Sequence, residues 1–178
     1  MNEQKTKHSG RSAVIESAGR IMARLKGDSS LTRAEAARWR HSLGRPMGDD
    51  PVLYGEFLQQ LDPAIRPWEG RSSPAEEAVW LAVQLYIVGG KRQQEGVSIG
   101  RACRMTGDDN IHRRLIMAEN APDLAQLREP LRAVVQLLAS GKNQVGMDYA
   151  ALAGDLYTWH FDPLLIVRHW EQDYAFDR

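Results

Sequence analysis

Arginine is the residue through which this sequence could do chemistry. Lys91, Arg92, Arg101, Arg104, Arg113 and Arg114 fall within 24 residues, and Arg128 and Arg132 follow, four apart. Arg101 and Arg104 stand at i, i+3, so a helix there would project both from one face. A guanidinium stays charged at any ordinary pH and presents a planar fork of donors, which suits a phosphate better than the point charge of lysine. The stretch VSIGRACRMTG contains no acid at all. In the preceding part of the chain, Arg38 lies nearly opposite the apolar positions Ala36, Trp39 and Leu43 of a helical segment, with Arg33 and Arg40 beside that stripe. The pattern therefore expects Arg38 to face outward. No aromatic residue interleaves with these cations except Trp68, which the sequence leaves as an exposed platform in a connector. The chemistry on offer is recognition of nucleic-acid backbone without reading of bases.

Motifs for catalysis are missing. The sequence holds no GxSxG, HExxH, CxxC or glycine-rich phosphate loop followed by lysine. Gly89-Gly90-Lys91 follows a helix instead of opening one, so it reads as a helix stop. The histidines do not fall at metal-ligating spacing, although His160 and His169 sit on successive helices and could meet. Asp108-Asp109 reads as the cap of the helix that follows. The expectation is a chain with no enzymatic activity, no metal, no cofactor and no small-molecule substrate.

The formal net charge of the 178 residues is zero, which argues against a polyanionic partner until it is divided along the chain. Residues 1–48 carry +6, 49–90 carry −5, 91–142 carry +3 and 143–178 carry −4. Because salt screens charge over about 8 Å, a partner feels such local patches more than the total. One cysteine, Cys103, allows no internal disulfide. No apolar run approaches the roughly 20 residues of a membrane span, and residues 1–12 are polar, so the expected location is the cytoplasm.

The elements that must position the arginines read as helices. A helix near 12–26 carries Val14, Ala18, Ile21, Met22 and Leu25 on one stripe. Thr32-x-x-Glu35 has the spacing of a capping box. Asp50-Pro51, Ser73-Pro74 and Asp162-Pro163 each place a side-chain acceptor before a proline that fits the first helical turn. The helix after Ser73 is apolar over much of its circumference and should be central. Ser98 opens a short helix that Gly107 ends, and another follows from Asn110. Pro130 predicts a kink or two abutting helices within 122–140. Asp148 caps a further helix, and the last carries Leu164, Val167, Trp170 and Tyr174. The expected fold is all-α, a bundle of about nine helices, with residues 1–11 mobile and 12–178 forming the helical domain. A division near 91–97 into halves 12–90 and 98–178 is a further expectation.

Several segments also resemble a known family. VGGKRQQEGVSIGRACR, the following IHRRL, DLAQLREPLRAVVQLL, and the C-terminal DYAALAGDLYTWH with VRHWEQDY are similar to the CasB family, the small subunit of the type I-E CRISPR Cascade complex. The likeness extends upstream to ARWRHS and PVLYGEFLQQL. It implies an all-helical, non-catalytic protein present in two copies within Cascade, in contact with the other subunits, the guide RNA and the target DNA, helping to hold the displaced strand. Arg101, Arg113, Arg114 and Arg128 match the family's basic positions, with Lys91 and Arg38 as additions. Arg104 and Pro130 depart from the pattern, and Arg168 alone stands where relatives carry several basic residues.

Two other readings stay open at this level. SIGRACRMTGDDNIHRRLIMA resembles a helix-turn-helix DNA-binding regulator, although Ala102 and Gly107 are five apart, one more than the usual spacing. A purely scaffolding helical protein would need no nucleic-acid contact.

Overall fold

Short polar side chains set where the helices begin. The computed structural model describes residues 2–67, 69–141 and 144–176, with side chains from residue 10 onward. Among the described residues there are nine α-helices and no strand: α1 (Asn2–Leu25), α2 (Ser30–His41), α3 (Pro51–Gln60), α4 (Pro74–Val88), α5 (Ile99–Thr106), α6 (Asp109–Glu119), α7 (Leu124–Ser140), α8 (Tyr149–Trp159) and α9 (Pro163–Ala175). The fold is all-α, as the sequence indicates.

The three acceptor–proline starts behave as their chemistry requires. Asp50 accepts from the N–H groups of Val52 and Leu53, at 3.0 Å each. Ser73 and Glu76 close a reciprocal capping box at 3.1 Å in both directions. Asp162 accepts from Leu165 N–H. Ser98, Asp108, Asp123 and Asp148 cap α5, α6, α7 and α8 in the same way.

Three boundaries differ from expectation. α1 runs back to Asn2, well before residue 12; the expected mobility of residues 1–11 falls mostly on side chains outside the described residues. Thr32 does not cap α2. Ser29 does, accepting Thr32 N–H at 3.1 Å, and Glu35, one turn before the buried Trp39, turns inward to meet Arg24 at 2.9 Å. α7 continues through Pro130 as one helix, so of the two expected outcomes the pair of abutting helices is excluded. An interior proline costs a helix about 3 kcal/mol. Buried Leu124, Leu127, Leu131, Val134, Val135 and Leu138 on both sides of it each return about 1.5–3 kcal/mol, so the packing outweighs the break.

α4 is the central element, buried at every position from Ala75 to Ile87 except Glu77 and packed against α1, α7 and α8. Trp80 on α4 meets Trp39 of α2 at a ring separation of 4.5 Å and Phe57 of α3 edge-on at 5.0 Å. At the other end Trp159 and Trp170 stack at 5.5 Å, joining α8 to α9. The buried residues of α9 are Ile166 and Trp170, and Leu164 is 64% exposed. The reason is angular: Leu164 sits about 120° round the helix from Trp170, Ile166 only about 40°.

One glycine fixes how close α5 comes to α9. A Cβ at Gly100 would lie 2.0 Å from the carbonyl oxygen of Trp170. The segment 91–97 is held by backbone bonds to the strand-like run before α8: Gln94 N–H donates to Met147 O at 2.9 Å, Met147 N–H to Arg92 O at 3.2 Å, and Asp148 N–H to Val97 O at 2.8 Å.

Candidate nucleic-acid interface

The arginines of the second half are placed by what their helices bury. α5 buries Ile99, Gly100, Ala102 and Cys103, which leaves Arg101 and Arg104 half-buried at its edge. Gly107, with φ of 66°, stops α5 in the left-handed conformation that glycine adopts without strain. α6 buries Ile111, Leu115 and Ala118, so Arg113 points away from the core and Arg114 lies on one flank, both exposed. Neither has an ion pair or side-chain hydrogen bond among the described residues. Arg128 and Arg132, half-buried on α7, stay four residues apart on one uninterrupted helix, and Arg132 makes a loose 3.8 Å pair with Glu129. The Nε atoms of Arg128 and Arg132 are buried with no acceptor among the described residues. α5, α6 and α7 pack against one another, so six expected arginines belong to one group of adjoining helices.

The other three expected cations do structural work. Arg38 is the correction: instead of pointing freely outward it is half-buried and donates to Glu56 at 2.6 Å, because α3 packs beside α2 on that side. The outward cations of α2 are Arg33 and Arg40, which the sequence placed at the edge of the apolar stripe. Lys91 Nζ donates to the Leu25 carbonyl at 2.7 Å, and Arg92 donates to the Ala139 carbonyl at 3.0 Å and to the Gln144 side chain. These carbonyls lie at the C-terminal ends of α1 and α7, where cations are favoured by the helix dipole. Trp68 lies outside the described residues.

The groups with catalytic chemistry are committed elsewhere. Cys103 is buried, and burial first, then the charges of Glu119 and Glu171, pushes its thiol up to about 12, so it is an inert core thiol. Asp155 is buried beneath hydrogen bonds from Trp170 at 2.9 Å and Arg11 at 3.0 Å; burial raises its pKa against the pull of both partners. His160 and His169 do not pair with each other. His160 lies 3.5 Å from Glu77 and His169 3.7 Å from Asp173. Among the described residues no cluster of His, Cys, Asp and Glu has the arrangement to hold a metal ion, and no helix is long and apolar enough to cross a membrane.

With that geometry in view, the likeness to known proteins is informative. The model of the family described as CRISPR-associated protein Cse2 matches residues 35–174. A curated relative, the CRISPR-associated protein Cse2 of Thermus thermophilus, is 27% identical over 155 residues, which is 86% of this chain and 85% of that one. Among solved structures, CasB from Thermobifida fusca superposes with a TM-score of 0.72 at 21% identity, covering 94% of this chain and 98% of that chain; at that identity it speaks to the fold alone. A Cse2-family CRISPR-associated protein from Thermus thermophilus superposes with a TM-score of 0.69 at 25% identity, covering 89% of this chain and 97% of that chain.

Proposed function

The chain belongs to the CRISPR-associated Cse2/CasB family, the small subunit of the Cascade complex, and on that premise we propose that it is a non-catalytic subunit whose α5–α7 arginines hold nucleic-acid backbone. Its partners in this reading are the other Cascade subunits, a second copy of itself, and the guide RNA with its target DNA, including the displaced strand; its place is the cytoplasm.

The observation that carries the reading is the state of Arg113 and Arg114. Both are exposed, and no carboxylate among the described residues neutralises them, so their donors remain available to phosphates. In RNA-guided recognition, base pairing reads the sequence and the protein needs only to hold backbone and shape. Exchange of a DNA duplex for an RNA–DNA duplex is nearly balanced, so a few such contacts can tip it. Zero net charge fits a subunit that binds nucleic acid weakly when alone and acts once the complex orients it.

The test is R-loop formation by reassembled Cascade carrying Arg113→Ala with Arg114→Ala. The reading expects a reduced yield of open displaced strand at matched subunit occupancy. Full R-loop formation with the double variant incorporated would refute it. The helix-turn-helix reading would require protection of one operator sequence, which the family assignment does not favour.

A further inference from the structure

α6 turns two apolar side chains outward together with Arg113 and Arg114. Ile116 is 41% exposed and Met117 is 70% exposed, although both are large. At about 100° per residue, Met117 falls between the two arginines, about 40° round from Arg113 and about 60° from Arg114, and Ile116 lies on the other side of Arg113. Both stand one helical turn along from Arg113, at the spacing of surface neighbours. Asn110 and Asn120 share this exposed face, and the chain itself engages their amides. Asn110 Nδ2 donates to Asp108 at 3.0 Å, and Asn120 Nδ2 donates to the Ile116 carbonyl at 2.7 Å. Asp109 stands at the N-terminal end of the face, where the helix dipole favours an acid. From Asn110 to Ala118 the helix holds no acid.

What this face can bind follows from what each group can touch. Two guanidinium forks suit phosphates. Ile116 and Met117 gain only by covering apolar surface. In a duplex the bases stack on one another, and their open edges are read by hydrogen bonds, with thymine methyls as the apolar exception. The two amides that could read such edges are occupied. A single strand opens its base faces instead, and every base has one, so contact there is tolerant of sequence. Methionine, unbranched and polarisable, adapts its shape to whichever base lies against it.

We propose that Ile116 and Met117 cover the base faces of single-stranded nucleic acid while Arg113 and Arg114 hold the adjoining phosphates.

The arginine contacts in this arrangement rest on the proposed function; the apolar contacts deepen it by naming the form of nucleic acid the site takes. A protein is the competing occupant. A face with two cations at its middle and no ion pair to them among the described residues complements a polyanion better.

The test uses the full chain at about 50 mM salt, where backbone contacts are stronger than at physiological salt. Fluorescence anisotropy compares three probes of equal length: an unstructured mixed-sequence single strand, the same backbone with abasic sites throughout, and the strand paired with its complement. Wild type should bind the intact strand more tightly than the abasic one. Ile116→Ala with Met117→Ala should weaken the intact strand about tenfold, the loss of roughly two methylene groups' worth of apolar contact. The abasic strand and the duplex should change less than about twofold, since their contacts are ionic. Met117→Ala alone gives a smaller step in the same direction, and Met117→Leu should keep the preference. No preference of wild type for the intact strand, no loss in the alanine variants, or an equal loss on all three probes would overturn the proposal. So would a variant that binds the strand normally but fails to join the other subunits, since the face would then belong to a protein partner. Those outcomes leave the arginine reading standing. That reading fails instead if Arg113→Ala with Arg114→Ala binds all three probes as wild type does.

Discussion

Replacing Arg113 and Arg114 together by alanine separates backbone binding from a structural role. Both side chains are exposed and have no ion pair among the described residues, so their loss should leave the melting temperature nearly unchanged; surface changes of this kind stay within about 0.5 kcal/mol. Binding should respond differently. Each phosphate neutralised contributes about 0.7–0.9 to the slope of log affinity against log salt, so losing two contacts should flatten that slope by about 1.5. Extrapolated from a common affinity at about 1 M salt, affinity should fall about 15-fold near 0.15 M but only about threefold near 0.5 M. The assay is equilibrium binding of target DNA by reassembled complex over a salt series. Arg38→Ala is the contrasting control: it breaks the 2.6 Å pair with Glu56 and should lower thermal stability while leaving the slope alone. An unchanged slope in the double variant, or an equal affinity loss at all salt concentrations, would refute the argument.

Three further outcomes follow from the packing. Gly100→Ala would place a Cβ 2.0 Å from the Trp170 carbonyl, so α5 and α9 must separate; overpacking of this kind costs about 1–3 kcal/mol or more, visible as a drop in melting temperature. Tyr54→Phe removes the hydroxyl that donates to fully buried Glu76; a hydrogen bond to a charged group is worth about 1.5–3 kcal/mol, and calorimetry should record a loss of that size. Cys103, buried with its thiol raised to about 12, should resist a neutral thiol reagent near pH 8 in the native chain and react promptly once denaturant is added.

What the sequence disclosed and what it hid divide by the range of the interaction. Ser73, Asp50, Asp148 and Asp162 cap their helices through contacts a few residues away, so the starts of α3, α4, α8 and α9 were legible. Where Arg38 points was not. Its partner Glu56 is eighteen residues distant on another helix, and a helical wheel shows which side is away from the core stripe but not that α3 covers it. Glu35 misled for a related reason: its spacing from Thr32 suited a cap, while its place one turn before Trp39 drew it inward to Arg24. Pro130 disrupts a helix locally, yet the aliphatic residues on both sides of it act through tertiary burial. The arginines of α5–α7 were identified as a group, but their neutralised or available state depends on contacts made only in the fold.

Lys91 and Arg92 are neighbours in the chain yet fasten the ends of α1 and α7, while α8, from the second half of the sequence, packs on α1 and α4 from the first. The order of residues along the chain and the order of layers in the molecule are thus interleaved. A nick within the exposed run 93–96 would part the polypeptide without parting the structure, which makes that loop the natural place to express the subunit as two fragments that find each other again.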